Sequence, residues 1–135
     1  MNDKILENYK IVLSKIERAR MGIDHSSHGI LTVDLPPEPE MGSELKILTE
    51  VVRDGADSDV IVDFSNTDIV TSSSISKLLK LRKLLIDCEH RLILCSAAPA
   101  TVGIFKVAGL DVVFEFASDK SDALASIKQT QPVNK

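Results

Sequence analysis

A chain of 135 residues is the size of one domain and can bury a core without disulfide or metal staples. At 44% hydrophobic and 27% charged residues it has an ordinary globular composition, and it carries no low-complexity tract or internal repeat. The net charge of −4 argues against a protein that binds nucleic acid by neutralising phosphates, and no apolar run is long enough to cross a bilayer.

Direct nucleic-acid and membrane partners are therefore not expected. Residues Met1 to Glu7 lack the basic-then-apolar layout of a signal peptide, which predicts a cytoplasmic location. Cys88 and Cys95 are too few for a disulfide framework, and Cys95 sits in an apolar run, so both are expected reduced.

From Asp3 to Ile16, the residues Ile5, Leu6, Tyr9, Val12, Leu13 and Ile16 recur three and four apart, which predicts an amphipathic helix. Its apolar stripe needs a cover, either its own domain or a second copy, making it a candidate homo-oligomer contact. Asp24-His25-Ser26-Ser27-His28-Gly29 reads as a turn. Gly29 to Leu35 has the β-branched content of a strand, halted by Pro36-Pro37, with a hairpin through the turn as one arrangement. Ser43 is then placed to cap a helix carrying Leu45, Ile47, Leu48, Val51 and Val52, which stops near Asp54-Gly55.

Asp59 to Phe64 is an apolar run suited to a strand buried on both faces. After the loop residues Ser65 to Asp68 comes Thr71-Ser72-Ser73-Ser74, where a strand gives way to a helix. Serine at such a place caps free N–H groups, and those N–H groups and the helix dipole equally favour a phosphate. The helix that follows carries Ile75, Leu78, Leu79, Leu81, Leu84, Leu85 and Ile86, with Lys77, Lys80, Arg82 and Lys83 between them. Arg91 to Ser96 predicts a further buried strand, and Pro99 opens a short helix that Gly109 ends beyond Ala108. Val112 to Phe116 reads as the last strand, and Ser118 or Ser121 as the start of a terminal helix through Ala123, Leu124 and Ile127.

Strands alternating with helices predict an α/β domain around a mainly parallel sheet of about four to five strands, with functional loops at the strands' carboxyl ends. The organisation expected is a helical extension over 1–17, one domain over 18–128 and a flexible tail over 129–135.

Little in the sequence resembles catalytic machinery. His25 and His28 are three apart in a turn without a neighbouring acid or thiol at ligand spacing, and Cys88, His90 and Cys95 lack a fourth ligand. The reading there is a buried Cys95 thiol and a solvated His90. No histidine lies near Ser72 or Ser73, there is no Gly-x-Ser-x-Gly elbow, and no Gly-rich phosphate cradle is present. Asp63 and Asp68 suit local backbone bonding better than a magnesium site. No enzyme activity, cofactor or metal is expected. The basic run from Lys77 to Lys83 is either a solvated helix face or a surface for an acidic partner.

These segments together resemble the STAS domain, found in bacterial anti-sigma-factor antagonists and in the cytoplasmic parts of sulfate transporters. The resemblance spans roughly Arg18 to Ile127. It rests on Asp59-Val60-Ile61-Val62-Asp63-Phe64-Ser65, on Ile69 to Ile75, on Arg91 to Cys95, and on Ala108-Gly109-Leu110-Asp111 running to Phe114. In that family the loop reads Asp-Ser-Ser-Gly or Asp-Ser-Thr-Gly, and its second hydroxyl residue is phosphorylated by a serine kinase that is also an anti-sigma factor. The match implies phosphorylation at Ser73, with Ser72 the alternative, and a partner surface of Thr71, Ser72, Ser74, Lys77 and Lys80. Thr71 stands in place of the family's Asp and Ser74 in place of its Gly. The function implied is an anti-sigma-factor-antagonist-like switch that binds an anti-sigma serine kinase when Ser73 is unphosphorylated. The alternative is a non-switching STAS scaffold or a ligand-sensing oligomerisation module.

Overall fold

The computed structural model describes residues 22–25, 29–55 and 57–130. The helix expected over 3–16, the centre of the 26–28 turn and the segment after Thr130 lie outside these residues.

The sheet has five strands in the order β1-β2-β3-β4-β5: Gly22–His25, Ile30–Asp34, Asp59–Asp63, Leu92–Cys95 and Glu115–Ala117. β1 pairs antiparallel with β2, from Gly22 opposite Asp34 to His25 opposite Leu31, so the expected hairpin is formed. Asp24 and His25, read as turn, belong to its first strand. All later pairings are parallel. Among the described residues four helices alternate with them: α1 Glu40–Arg53, α2 Ser72–Asp87, α3 Pro99–Val107 and α4 Lys120–Thr130.

Successive side chains on a strand point to opposite faces, and each face here has its own core. Leu31, Val33, Val60, Val62, Leu92 and Leu94 share one cluster with α1, α2 and Phe105 of α3. Ile30, Ile61, Ile93 and Cys95 point the other way and are covered by Ala123 and Ile127 of α4. Helices on both faces explain why β3 and β4 read as continuous apolar runs rather than alternating ones.

Several element ends differ from the sequence reading. α1 begins at Glu40, so Ser43 lies inside its first turn and caps nothing; Met41, fully buried, starts the apolar stripe a turn before Leu45. β5 begins at Glu115, because the amides of Val113 and Phe114 both donate to the Leu110 carbonyl and close a turn, leaving Val112 exposed. α4 is capped by Asp119, whose Oδ1 accepts from the Asp122 amide at 2.8 Å. The Asp122 carboxylate reaches back to the Ser118 amide at 3.1 Å, a reciprocal arrangement that takes the place of a serine cap. α4 continues to Thr130, two residues into the stretch expected as tail.

Candidate functional site

The parallel strands end together at one edge of the sheet, where Asp34, Asp63, Cys95 and Ala117 are the last residues of β2 to β5. The hydroxyl loop and the β2–α1 connection leave from this edge side by side.

Thr71, not a serine, is the N-cap of α2: its backbone is extended and its Oγ1 accepts from the Ser74 amide at 3.2 Å. Ser72, Ser73 and Ser74 therefore occupy the first helical turn. Thr71 Oγ1 in turn donates to Ser74 Oγ at 3.3 Å, and Ser74 Oγ donates to Glu38 Oε2 at 2.8 Å. The Thr71 amide donates to the same oxygen at 2.9 Å. A carboxylate only accepts, so every proton in this circuit points toward Glu38. Glu38 comes from the β2–α1 connection, and the sequence reading did not single it out. A carboxylate in a loop at the carboxyl edge, immediately after Pro36-Pro37, was the available signal.

Burial works to raise the Glu38 carboxyl, but the hydrogen bonds from Thr71 and Ser74, with the Lys77 charge, outweigh it and hold the group below its usual value. A negative charge at a helix N-terminus is favourable in any case, since unpaired N–H groups and the helix dipole meet it there.

Ser74 is buried and its hydroxyl is committed to Glu38, so it holds the loop from inside rather than facing a partner. Its burial also accounts for a serine where the resembling loops have glycine, because the side chain has a slot and an acceptor. Ser72 and Ser73 are exposed. Ser73 Oγ accepts from Lys77 Nζ at 2.9 Å, which leaves its own proton free to be donated or replaced. Around it a groove is lined by Glu38, Gly42, Ser43, Lys46, Thr71 and Lys77. Gly42 faces this groove, where an added Cβ would make ordinary contact with Lys77 Nζ at 3.6 Å and Ser74 Oγ at 3.9 Å.

The basic run on α2 splits between faces, as helical spacing requires. Lys77 and Lys80 meet Lys46 and Arg53 of α1 along a groove that continues from the serine loop. Lys83 instead pairs with Asp87 at 3.4 Å, and Arg82 borders Ile86, His90 and Arg91 at the far end of the helix. Thr71, Ser73, Lys77 and Lys80 thus share one surface, which Lys46 and Arg53 extend, while Ser72 is exposed but does not line it.

The remaining candidates have other occupations. Asp63 accepts from the Ser65 amide at 2.7 Å, as expected of a strand-end aspartate, and lies 4.0 Å from Lys120 Nζ, which pairs with Asp34 at 2.6 Å. His90 is not solvated: its ring spans Asp59 Oδ1 at 3.2 Å and Asp57 Oδ1 at 2.5 Å, at the opposite edge of the sheet from the serines. Burial tends to lower its pKa, yet the two carboxylates win and raise it. Cys95 is buried and Cys88 exposed. His25 belongs to β1, and His28 lies outside the described residues. Among the described residues no group of three or more His, Cys, Asp and Glu could hold a metal ion, and no helix is long and apolar enough to cross a membrane.

No protein-family profile and no curated protein matches the sequence. Solved structures do match the fold. An anti-sigma-factor antagonist (STAS) domain protein from Planctomyces limnophilus superposes with a TM-score of 0.71 at 20% identity, over 80% of this chain and 97% of its own. A putative anti-sigma factor antagonist from Thermotoga maritima gives 0.71 at 11% identity, over 80% and 94%. The Bacillus cell fate determinant SpoIIAA in its phosphorylated form gives 0.62 at 16% identity, over 79% and 98%. This chain has the STAS-domain fold.

Proposed function

We propose that this STAS-fold chain is a non-catalytic, cytoplasmic regulator of the anti-sigma-factor-antagonist kind, switched by phosphorylation of Ser73. Unphosphorylated, it binds an anti-sigma factor that is also a serine kinase. The kinase transfers the γ-phosphoryl group of ATP to Ser73 Oγ, the hydroxyl proton passes to a base on the kinase, and ADP leaves. The added group carries about −1.5 to −2 charges at neutral pH and repels a partner seated over the loop.

One observation carries the reading. Ser73 is exposed in the first turn of α2, at the carboxyl edge of the sheet, and its oxygen is met by a lysine while Ser74 is buried. Of the hydroxyls in the loop it is the one with both access and a nearby cation for the product. Ser72 is also exposed, but among the described residues no lysine meets its hydroxyl as Lys77 meets that of Ser73. The test is mass spectrometry after incubation with the cognate kinase and ATP. Phosphate on Ser73, absent from the Ser73→Ala variant, is the expected result; phosphate elsewhere, or none, refutes the assignment.

A second reading, a STAS scaffold without a switch, has its own support. Glu38 already places a negative charge at the α2 N-terminus through Thr71 and Ser74, so the loop carries an anion permanently. A Ser73→Asp variant that keeps full partner binding in a pull-down would favour this reading.

A further inference from the structure

We propose that Glu38 is the intramolecular competitor of a phosphate on Ser73, so that phosphorylation expels its carboxylate from the α2 N-terminus and releases the β2–α1 connection. The inference rests on Ser73 as the modified residue and deepens that reading: it names the segment that responds.

Two neighbouring oxygens of one helical turn are involved. Glu38 Oε2 holds the Thr71 amide and the Ser74 hydroxyl, while Ser73, between them in sequence, faces Lys77. The charged groups around Glu38 come from both helices: Lys77 from α2 and Lys46 from α1 line the same groove. In the unmodified protein Lys77 is the cation whose charge acts on this carboxylate. A phosphoryl group on Ser73 brings a charge near −2 into the groove and has three acceptor oxygens. Lys77, already bonded to Ser73 Oγ, is drawn to it, and Glu38 loses its nearest cation while gaining a like charge. The N–H groups and dipole of the helix then serve the phosphate, which is the stronger anion.

Glu38 is exchangeable because it is tethered by a short loop rather than packed in the core. It stands immediately before Pro39 and the first turn of α1, so its release reaches the helix that carries Lys46 and Arg53. Phosphorylation would therefore do more than mask a contact. It would reposition the α1 side of the basic groove, well beyond the modified side chain.

The test needs no kinase. The full chain is prepared with phosphoserine encoded at position 73, beside the unmodified protein, with Glu38→Gln used to assign the Glu38 side-chain carboxyl in carbon NMR. Expected in the phosphorylated form is a rise in the Glu38 titration midpoint of about one unit or more, a tenfold change in proton affinity. Amide exchange at Thr71 should quicken about tenfold, with chemical-shift changes confined to 36–53 and 71–80, the β2–α1 connection, α1 and the groove side of α2. An unchanged Glu38 midpoint with unchanged Thr71 exchange would overturn the proposal. Shift changes spread through β3 and β4 would overturn it equally, since the response would not be local. If Glu38 moves but the cognate kinase leaves Ser73 unmodified, the proposed function fails and this coupling stands; if the kinase modifies Ser73 and Glu38 stays, the reverse holds.

Discussion

Replacing Glu38 by alanine removes one acceptor shared by the Thr71 amide and the Ser74 hydroxyl. Ser74 is 1% exposed, so its hydroxyl keeps only the 3.3 Å contact with Thr71. A buried hydroxyl without its acceptor costs about 1–3 kcal/mol. The carboxylate itself is partly open to water, which screens it and supplies a substitute partner for the Thr71 amide, so the lower part of that range applies. The expected loss is about 1–2 kcal/mol, a fall in Tm of about 3–8 °C for a chain of this size. Glu38→Gln, which keeps an acceptor oxygen but not the charge, should lose about half as much.

The assay is urea unfolding followed by circular dichroism, run from pH 7 downward. Because the folded-state carboxyl is depressed, its stabilisation is complete above the ordinary value of 4.5 and disappears as pH falls through the lowered folded value. The curves of wild type and Glu38→Gln should converge in acid. A gap that is absent at pH 7, or one that persists undiminished at about pH 3, refutes the assigned role of the Glu38 charge.

Thr71→Ala should cost about 1 kcal/mol by loss of the cap, and Thr71→Ser much less. Combined with Glu38→Ala it should fall short of the sum, because both act on one hydrogen-bond circuit, as a double-mutant cycle by denaturation would show. Phe105 is fully buried and meets Phe114 and Phe116 edge-on, each at 5.4 Å between ring centroids. Phe105→Ala should cost about 3–5 kcal/mol in urea unfolding and expose β5 to amide exchange ahead of β3. His90, raised by Asp57 and Asp59 against the opposing effect of burial, stabilises the fold fully below its ordinary value of 6.5. That contribution is lost as pH rises through the raised folded value, so a His90→Gln variant should fall behind wild type in acid and converge with it in alkali. The Cys95 thiol, pushed up to about 11 by burial and then by Asp63, should resist iodoacetamide at pH 8 while Cys88 reacts, as peptide mass spectrometry would report. Equal labelling of both thiols in the folded protein would contradict the packing of β4.

Much of the fold was written in local pattern. The apolar runs at Asp59–Asp63 and Leu92–Cys95, the helical spacing from Leu45 to Val52 and from Ile75 to Leu85, and the Pro99 and Gly109 punctuation are all properties of neighbours along the chain. Their order sufficed for an α/β sheet, and the hydroxyl loop's place at the carboxyl edge followed from it. Element ends were harder to read. Ser43, Ser118 and Ser121 have the chemistry of caps, but which residue caps a helix depends on where burial starts the apolar stripe, and Met41 and Asp119 decided it.

Periodicity and turn chemistry act over a few residues, and they were enough to place β2 to β4, the described helices and the serine loop with its basic flank, though not β1, which lies partly where a turn was read. Which side chains reach that loop depends on the packing of distant segments. Glu38 is 33 residues from Thr71 and 36 from Ser74, and no spacing rule links them. Parallel pairing of β2 with β3 brings their carboxyl ends together and delivers the carboxylate to the α2 N-terminus. His90 finds Asp57 and Asp59 in the same way at the opposite edge. A charge at a helix end takes its meaning from its neighbours in space, and in a parallel sheet those neighbours come from the adjacent crossover.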